Sequence, residues 1–436
     1  MIRAGFRADD PEWTGPLAWG QRSIWEAMRL VGAPGDRYFN FTRTVAVPRA
    51  AGSPGPETVA RALAMVVERH DSLRTRVRIG PDGEPYQVVG VSGGIAAEVG
   101  ADLVADAVAE DRFDPAEDWP VRAGLVIRDG VVEQVILAFC HTAADGYAGD
   151  IVARDLRVAL LRRALPGPSE RLRDLVSRQE GADAARGERS VAFWERRMAE
   201  LGGPVFEPSR EAVAATPRYQ RLTMVSPALD RASRALSVRY GVSTSTVLLA
   251  AACVEVARIA GRPGAAMTPL VNNRFGRQDR DLVTSLGQLG LFVLPPGDGR
   301  DEGAGVSRGR EGFHELMGSA RAAALRAYRH AYYDPAELNR RLGGADPLCC
   351  FNDQRPVEAV TPVGEVPDEG EIRSALALTE IVPQSGLEEL NCRFCVHVTG
   401  EPDRLRVLVT ADSLHVAPRD LETFLRGMEA LVVGGV

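Results

Sequence analysis

The 436-residue chain has a formal net charge of −7, is 45% hydrophobic and 25% charged, and contains no lysine, so all 52 basic residues are arginines. The acidic balance excludes a basic nucleic-acid footprint, and the missing lysine excludes Schiff-base chemistry, a Walker-A phosphate loop and a lysine general base. The length allows two or three domain-sized units with ample core.

Met1 to Trp13 holds no apolar stretch of a signal peptide. The most apolar segment, Thr246 to Ala260, contains Glu255 and Arg258 and is too short to span a bilayer. The expectation is a cytoplasmic protein with no membrane contact. Its six irregularly spaced cysteines (140, 253, 349, 350, 392 and 395) fit a reduced compartment.

In chain order, Pro16 to Val31 reads as a helix and Phe39 to Val47 as a strand. Thr58 to His70 is an amphipathic helix with Val59, Leu63, Val66 and Val67 on one face. It runs into Arg69-His70-Asp71-Ser72-Leu73-Arg74-Thr75, whose charges read on their own as a solvated helix end. Ala123 to Arg128 and Val131 to Phe139 are strands joined by Asp129-Gly130, a hairpin signal. A helix follows from Asp150 to Leu165, and Pro166 to Gly187, rich in Pro, Gly and charge, reads as a linker between domains at 1–180 and 181–436.

Beyond it, Arg189 to Leu201 is a helix carrying Phe193 and Trp194, Tyr219 to Ser226 a strand and Ala228 to Tyr240 a helix. Ser243 to Thr246 offers a hydroxyl cap for the apolar helix that follows. Ala266 to Val271 and Leu289 to Leu294 are apolar strands, the second stopped by Pro295-Pro296, and Asp298 to Gly309 is a charged loop. Helices at Glu311–His330 and Asp334–Leu342 precede strands at Pro347–Phe351, Leu376–Ile381, Cys392–Val398 and Leu405–Thr410, with a closing helix at Arg419–Leu431. Helices alternate with strands throughout, so layered α/β architecture is expected. In a strand, Cys392 and Cys395 face opposite ways, and no second pair accompanies them, so no metal site is expected.

The residues that point to chemistry are Cys140-His141-Thr142-Ala143-Ala144-Asp145-Gly146, where a core strand ends and the backbone turns. A histidine there is rigidly held, yet reaches a substrate, and exchanges a proton near neutral pH. Asp145 can fix the turn through backbone or arginine hydrogen bonds. Gly146 lets a backbone N–H approach an oxyanion with no side chain in the way.

These residues do not stand alone. Leu17-Ala18-Trp19-Gly20-Gln21-Arg22-Ser23-Ile24-Trp25 is similar to the first motif of the condensation-domain family of nonribosomal peptide synthesis, Ser-x-Ala-Gln-x-Arg-Leu-Trp. Arg69 to Thr75 resembles its Arg-His-Glu-x-Leu-Arg-Thr block, and Cys140 to Gly146 its His-His-x-x-x-Asp-Gly motif, with Cys140 in place of the first histidine. Phe193-Trp194 and Leu289-Gly290-Leu291-Phe292-Val293 resemble later blocks. The resemblance spans nearly the whole chain and places it in the superfamily of chloramphenicol acetyltransferase.

What the resemblance implies is an acyltransferase of two chloramphenicol-acetyltransferase-like lobes in a V, an N-terminal one with the His-x-x-x-Asp-Gly motif and a C-terminal one completing a tunnel. Phosphopantetheine thioesters enter from an acyl or peptidyl carrier protein, and the acceptor is a small amine or alcohol. No cofactor is held permanently, and the enzyme is a monomer. His141 is the base, Gly146 the oxyanion donor, and Asp145 a structural residue paired with Arg274 or, alternatively, Arg277. Cys140 is buried filler, and Asn352 lies near the reacting carbonyl. Cys140, and Leu294 where the family has Asn, put ordinary peptide elongation in doubt. Without an adenylation or carrier domain in the sequence, a stand-alone enzyme is expected. The competing readings are a CoA-dependent O-acyltransferase and a docking module without catalysis. Asp412-Ser413-Leu414 is expected to be a turn rather than a carrier attachment site.

Overall fold

The structure, a computed structural model, describes residues 1–168, 170–207, 213–294, 310–343, 349–361 and 366–436. The expected Pro295-Pro296 stop, the 298–309 loop and the first two residues of the 347–351 strand lie outside the described residues. Two compact units form: Met1–Ala185 with Asn272–Gln288, and Arg186–Val271 with Leu289–Val436. This differs from a contiguous 1–180 and 181–436 division in two places, the boundary at Ala185 and the return of residues 272–288 to the first unit. Residues 272–288 pack with the first unit because Arg274 and the Leu286 N–H both bind Asp145, and Val283 joins that unit's core.

The first unit is built on β1 (Ile2–Arg7), β2 (Trp13–Pro16), β3 (Phe41–Ala46), β4 (Thr75–Ile79), β5 (Pro85–Val89), β6 (Ser92–Gly100), β7 (Val121–Arg128) and β8 (Val131–Phe139). Its helices are α1 (Trp19–Val31), α2 (Pro56–Arg69), α3 (Ala105–Glu110), α4 (Gly146–Leu160) and α5 (Leu172–Glu180). Five strands form a sheet in the order β1-β6-β7-β8-β3, and β2-β5-β4 form a smaller one. The β7–β8 turn is the expected hairpin, with Asp129 and Gly130 both at positive φ (50° and 78°), which matches the twist of the flanking strands. β8 alternates as a doubly buried strand should. Val135, Leu137 and Phe139 face the core shared with α2 and α4, while Ile136, Ala138 and Cys140 face Met28 and Phe113.

Two readings of this half are corrected. The stretch 166–187 is no linker, because α5 within it buries Leu172, Leu175 and Val176 against Ala18, Val89, Leu282 and Leu286. The charges at 69–75 are not a solvated helix end. Arg74 is fully buried, donating to the Gly90 carbonyl (2.7 Å) and to Asp71 (2.6 Å), and His70 Nε2 meets Asp155 at 2.9 Å.

The second unit continues with α6 (Ala184–Leu201), β9 (Tyr219–Ser226), α7 (Pro227–Tyr240), α8 (Thr244–Ile259), β10 (Ala266–Val271), β11 (Gln288–Leu289), β12 (Phe292–Val293), α9 (Arg310–Arg329) and α10 (Pro335–Leu342). Then come β13 (Cys349–Asp353), α11 (Val357–Val360), α12 (Glu369–Ala375), β14 (Glu380–Leu387), β15 (Phe394–Glu401), β16 (Arg404–Asp412) and α13 (Pro418–Gly434). Its sheet runs β11-β10-β13-β15-β16-β9-β14, with β12 also on β10. Alternation again sorts the side chains. Cys349, Phe351, Val396, Val398, Val407, Val409 and Ala411 enter a core with α7, α8 and α13, whereas Asn352, His397 and Thr410 have the opposite parity. Ser243 caps α8 by accepting from the Thr246 N–H (3.1 Å), as its position suggests.

Three expectations here fail for local reasons. The 289–294 run is two short strands, because the chain breaks at Gly290, whose missing Cβ admits the Ala327 carbonyl. Leu376–Leu378 is a 3-10 turn, and β14 starts at Glu380. Cys392 precedes β15, so strand alternation does not govern it, and its sulfur turns back to form a disulfide with Cys395 rather than staying a free thiol. Ser413, buried after β16, donates to the Arg218 carbonyl (2.7 Å) in a turn. No single helix among the described residues is long and apolar enough to cross a membrane.

Candidate active site

β8 lies between β7 and β3, and its last residue, Phe139, pairs with Val121 on one side and Phe41 on the other. Two residues later the parity of the strand turns His141 toward Phe41, whose ring stacks on Phe139 (5.1 Å) and meets the imidazole at 5.4 Å. His141 is half-buried. Ser285 donates its hydroxyl to the His141 carbonyl, and its oxygen lies 3.3 Å from Nδ1. With that hydroxyl proton directed at the carbonyl, the Ser285 oxygen is able to accept from the ring when the proton sits on Nδ1. Burial depresses the histidine pKa, and the His141 carbonyl, the Asp145 charge and the Ala144 carbonyl offset part of that effect. The net depression favours the neutral imidazole.

Asp145 begins α4 as its N-cap. Oδ1 accepts from the Ala148 N–H (2.8 Å), and Oδ2 from Arg274 Nη1 (2.7 Å) and the Leu286 N–H (3.0 Å). Burial alone would raise the carboxyl pKa, but the Arg274 charge and these donors outweigh it and hold the group ionised below its ordinary value. Arg274, with its side chain almost wholly buried, also donates to the Thr284 carbonyl (3.0 Å) and lies 4.8 Å over the Tyr147 ring. Arg277 is exposed, and no ion pair joins it to Asp145. The carboxylate therefore organises the turn, the helix start and the 272–288 segment, and its hydrogen bonds do not go to the histidine.

Gly146 is the first residue of α4, where no carbonyl of the helix lies four residues back to take its N–H. Arg43 donates to the Gly146 carbonyl (2.8 Å) and to Asp150 (2.6 Å), and a Cβ on Gly146 would stand 3.3 Å from that guanidinium. Cys140 is fully buried on the other face of β8, with its sulfur 3.2 Å from the Thr142 hydroxyl, and burial pushes its thiol pKa up. A buried, protonated thiol is a poor nucleophile. Asn352 belongs to the second unit, half-buried on β13 in register with His397. Among the described residues no group of three or more His, Cys, Asp or Glu could hold a metal ion.

Sequence reasoning missed Ser285, Leu286 and Arg43, which orient the three motif residues. One signal was available. Gly20 stands in the first turn of α1, where a better helix former is expected, and a Cβ there would overlap the Ser285 carbonyl and Leu286. Gln21, beside it, donates to the Thr142 carbonyl (3.3 Å).

The chain matches the condensation-domain family over residues 44–345. It is 28% identical over 350 residues to the isonitrile lipopeptide synthase of Mycobacterium tuberculosis, covering 72% of this chain and 13% of that protein. It is 28% identical over 268 residues to the AMB antimetabolite synthetase AmbB of Pseudomonas aeruginosa, covering 58% of this chain and 21% of that one. The chain thus spans a small part of these relatives' length. Among solved structures it is similar to the condensation domain of the Monacolin K polyketide synthase MokA (TM-score 0.71, 15% identity, 97% of each chain covered). SgcC5 from Streptomyces globisporus is also similar (TM-score 0.67, 18% identity, 96% of this chain and 98% of that one). With a mixed α/β fold shared along almost its full length, and a His-x-x-x-Asp-Gly turn inside the matched stretch, the chain belongs to the condensation-domain family.

Proposed function

We propose that the chain moves an acyl or aminoacyl group from a carrier-protein phosphopantetheine thioester to an amine or hydroxyl acceptor, with His141 as the general base. One observation carries this reading: His141 stands where β8 turns into α4, with the Ser285 hydroxyl beside its Nδ1 and burial favouring its neutral form. In the proposed step Nε2 takes the proton of the attacking amine or alcohol as its N–C or O–C bond forms at the thioester carbonyl. The tetrahedral oxyanion accepts from the Gly146 N–H, a contribution worth roughly 3–4 kcal/mol for one good donor. Collapse breaks the C–S bond, and the imidazolium returns its proton to the departing thiolate. Asp145 and Arg274 hold the turn through all of this without exchanging protons. Asn352 enters through the family resemblance alone, as a group that contacts substrate.

The test is intact-mass measurement on acyl-loaded carrier proteins with amine and alcohol acceptors, using wild type and His141→Ala. Acyl loss from the carrier with matching product, abolished in the variant while carrier binding persists, supports the reading. Undiminished transfer by His141→Ala would favour a docking role. Turnover with acyl-CoA but with no carrier-borne donor would place the chain among CoA-dependent acyltransferases.

A further inference from the structure

We propose that the first unit has a second ligand site, for a compact oxyanion presented by a phosphate or carboxylate group, in a cavity of about 290 Å³ beside Trp119. The cavity shares no lining residue with the His141 site. Arg76 and Arg78 both line it, two residues apart on β4 and therefore on one face of the strand.

Arg76 is the telling residue. Among the described residues of this unit, every other arginine that is not exposed, from Arg22 to Arg274, lies within ion-pair distance of a carboxylate. Arg76 has no such partner, and its Nε is buried without a hydrogen bond. Its guanidinium carbon sits over the Trp119 ring, 4.0 Å from the centroid, a cation–π contact that holds the group against the indole. The indole is itself wedged: Phe6 meets it edge-on at 5.2 Å, and a Cβ at Gly90 or Gly93 would come within 2.6 and 2.7 Å of the ring.

A half-buried cation with no counter-charge calls for one from outside. A planar guanidinium can meet two oxygens of one group, and Arg78 adds a second positive charge. Ser92 also lines the cavity, and exposed Glu12 lines it without pairing with either arginine, so the lining carries a net charge near +1. At about 30 Å³ per water, the volume suits a small oxyanion and a short stem rather than a long acyl chain.

The experiment is isothermal titration of the full chain at low ionic strength with inorganic phosphate and, separately, with malonate, the two arms distinguishing a phosphate from a carboxylate ligand. Saturable binding of either probe is expected, weakened about tenfold or more by Arg76→Gln and several-fold by Arg78→Gln, and tightened several-fold by Glu12→Gln. Arg78 and Glu12 are exposed, so their variants read the site even if Arg76→Gln disturbs the packing on Trp119. Absence of saturable binding by both probes, or binding indifferent to Arg78→Gln and Glu12→Gln, would overturn the proposal.

Discussion

Each unit carries a histidine on or just beyond a strand of its main sheet, and the pKa values of the two are depressed in different ways. His141, just past β8, is depressed by burial but partly restored by two carbonyls and the charge of Asp145. His397, within β15, is depressed by burial and by the positive charge of Arg221 together, with nothing opposing them, and falls to about 4. Its Nδ1 is buried without a partner, as are the Thr410 hydroxyl on the adjacent β16 and Arg221 Nε on β9 beyond it. Neutrality is therefore not enough to mark a base. A useful base also needs one nitrogen anchored, the other open, and a field that tolerates the imidazolium. His141 has a ring contact with Ser285 and a field that partly offsets its burial, and His397 has neither.

The sharpest way to break that contrast is to remove each imidazole in turn. Under the proposed role, His141→Ala lowers acyl transfer by about 10²–10⁴-fold, the usual worth of a general base, whereas His397→Gln leaves the transfer step far less affected. Single-turnover rates with a loaded carrier check both. The acid limb of the wild-type rate profile is expected below the ordinary histidine value of 6.5, because the base must be neutral and the fold depresses its pKa.

The ion pair beneath the first site comes next in size. Arg274→Ala leaves Asp145 buried with its charge uncompensated, and such losses run to about 3–5 kcal/mol. Denaturant unfolding measures it. Adding Asp145→Asn to Arg274→Ala is expected to return part of the loss, since the asparagine can still cap α4 without a buried charge.

His397 predicts a pH effect confined to the second unit. Its folded pKa of about 4 lies below the unfolded 6.5, so between these values the unfolded chain binds a proton that the native one does not. Stability is fully present above pH 6.5, falls as the pH drops through that window, and levels off below about 4, by roughly 3 kcal/mol in all. The other histidines with depressed pKa values act in the same direction. The difference between wild type and His397→Gln isolates this one, and equal pH slopes would mean that its burial is relieved.

Much of this was legible in the chain and some was not. β8, its Asp129-Gly130 hairpin and the cap of α8 follow from alternation and turn chemistry, which are local. The motif 141–146 was legible for the same reason: strand end, N-cap and helix start are consecutive in sequence. What anchors it was not. Ser285 and Leu286 reach His141 and Asp145 across more than 140 positions, and nothing in their own neighbourhood marks them. The burial of Arg74 was missed for a related reason, since its partner carbonyl at Gly90 satisfies a charge that composition alone assigns to solvent. The Cys392–Cys395 bond shows the converse, where a strand assigned two residues too early put the two sulfurs on opposite faces.

The smallest effect tests the same contrast through two hydroxyls. Ser285 both donates to the His141 carbonyl and stands beside its ring, while the Thr410 hydroxyl is buried with no partner. Removing a hydrogen-bonded hydroxyl costs about 0.5–1.5 kcal/mol, whereas replacing an unsatisfied one by a methyl of the same shape removes a desolvation penalty. Ser285→Ala is therefore expected to destabilise by about 1 kcal/mol and to slow transfer by loosening the ring, and Thr410→Val to be neutral or to stabilise by up to about 1 kcal/mol. Opposite signs in denaturant midpoints would sharpen the distinction between an organised site and a merely buried polar strand. A loss of stability in Thr410→Val would mean that an internal water satisfies that hydroxyl, and the two sheets would then differ less than their side chains suggest.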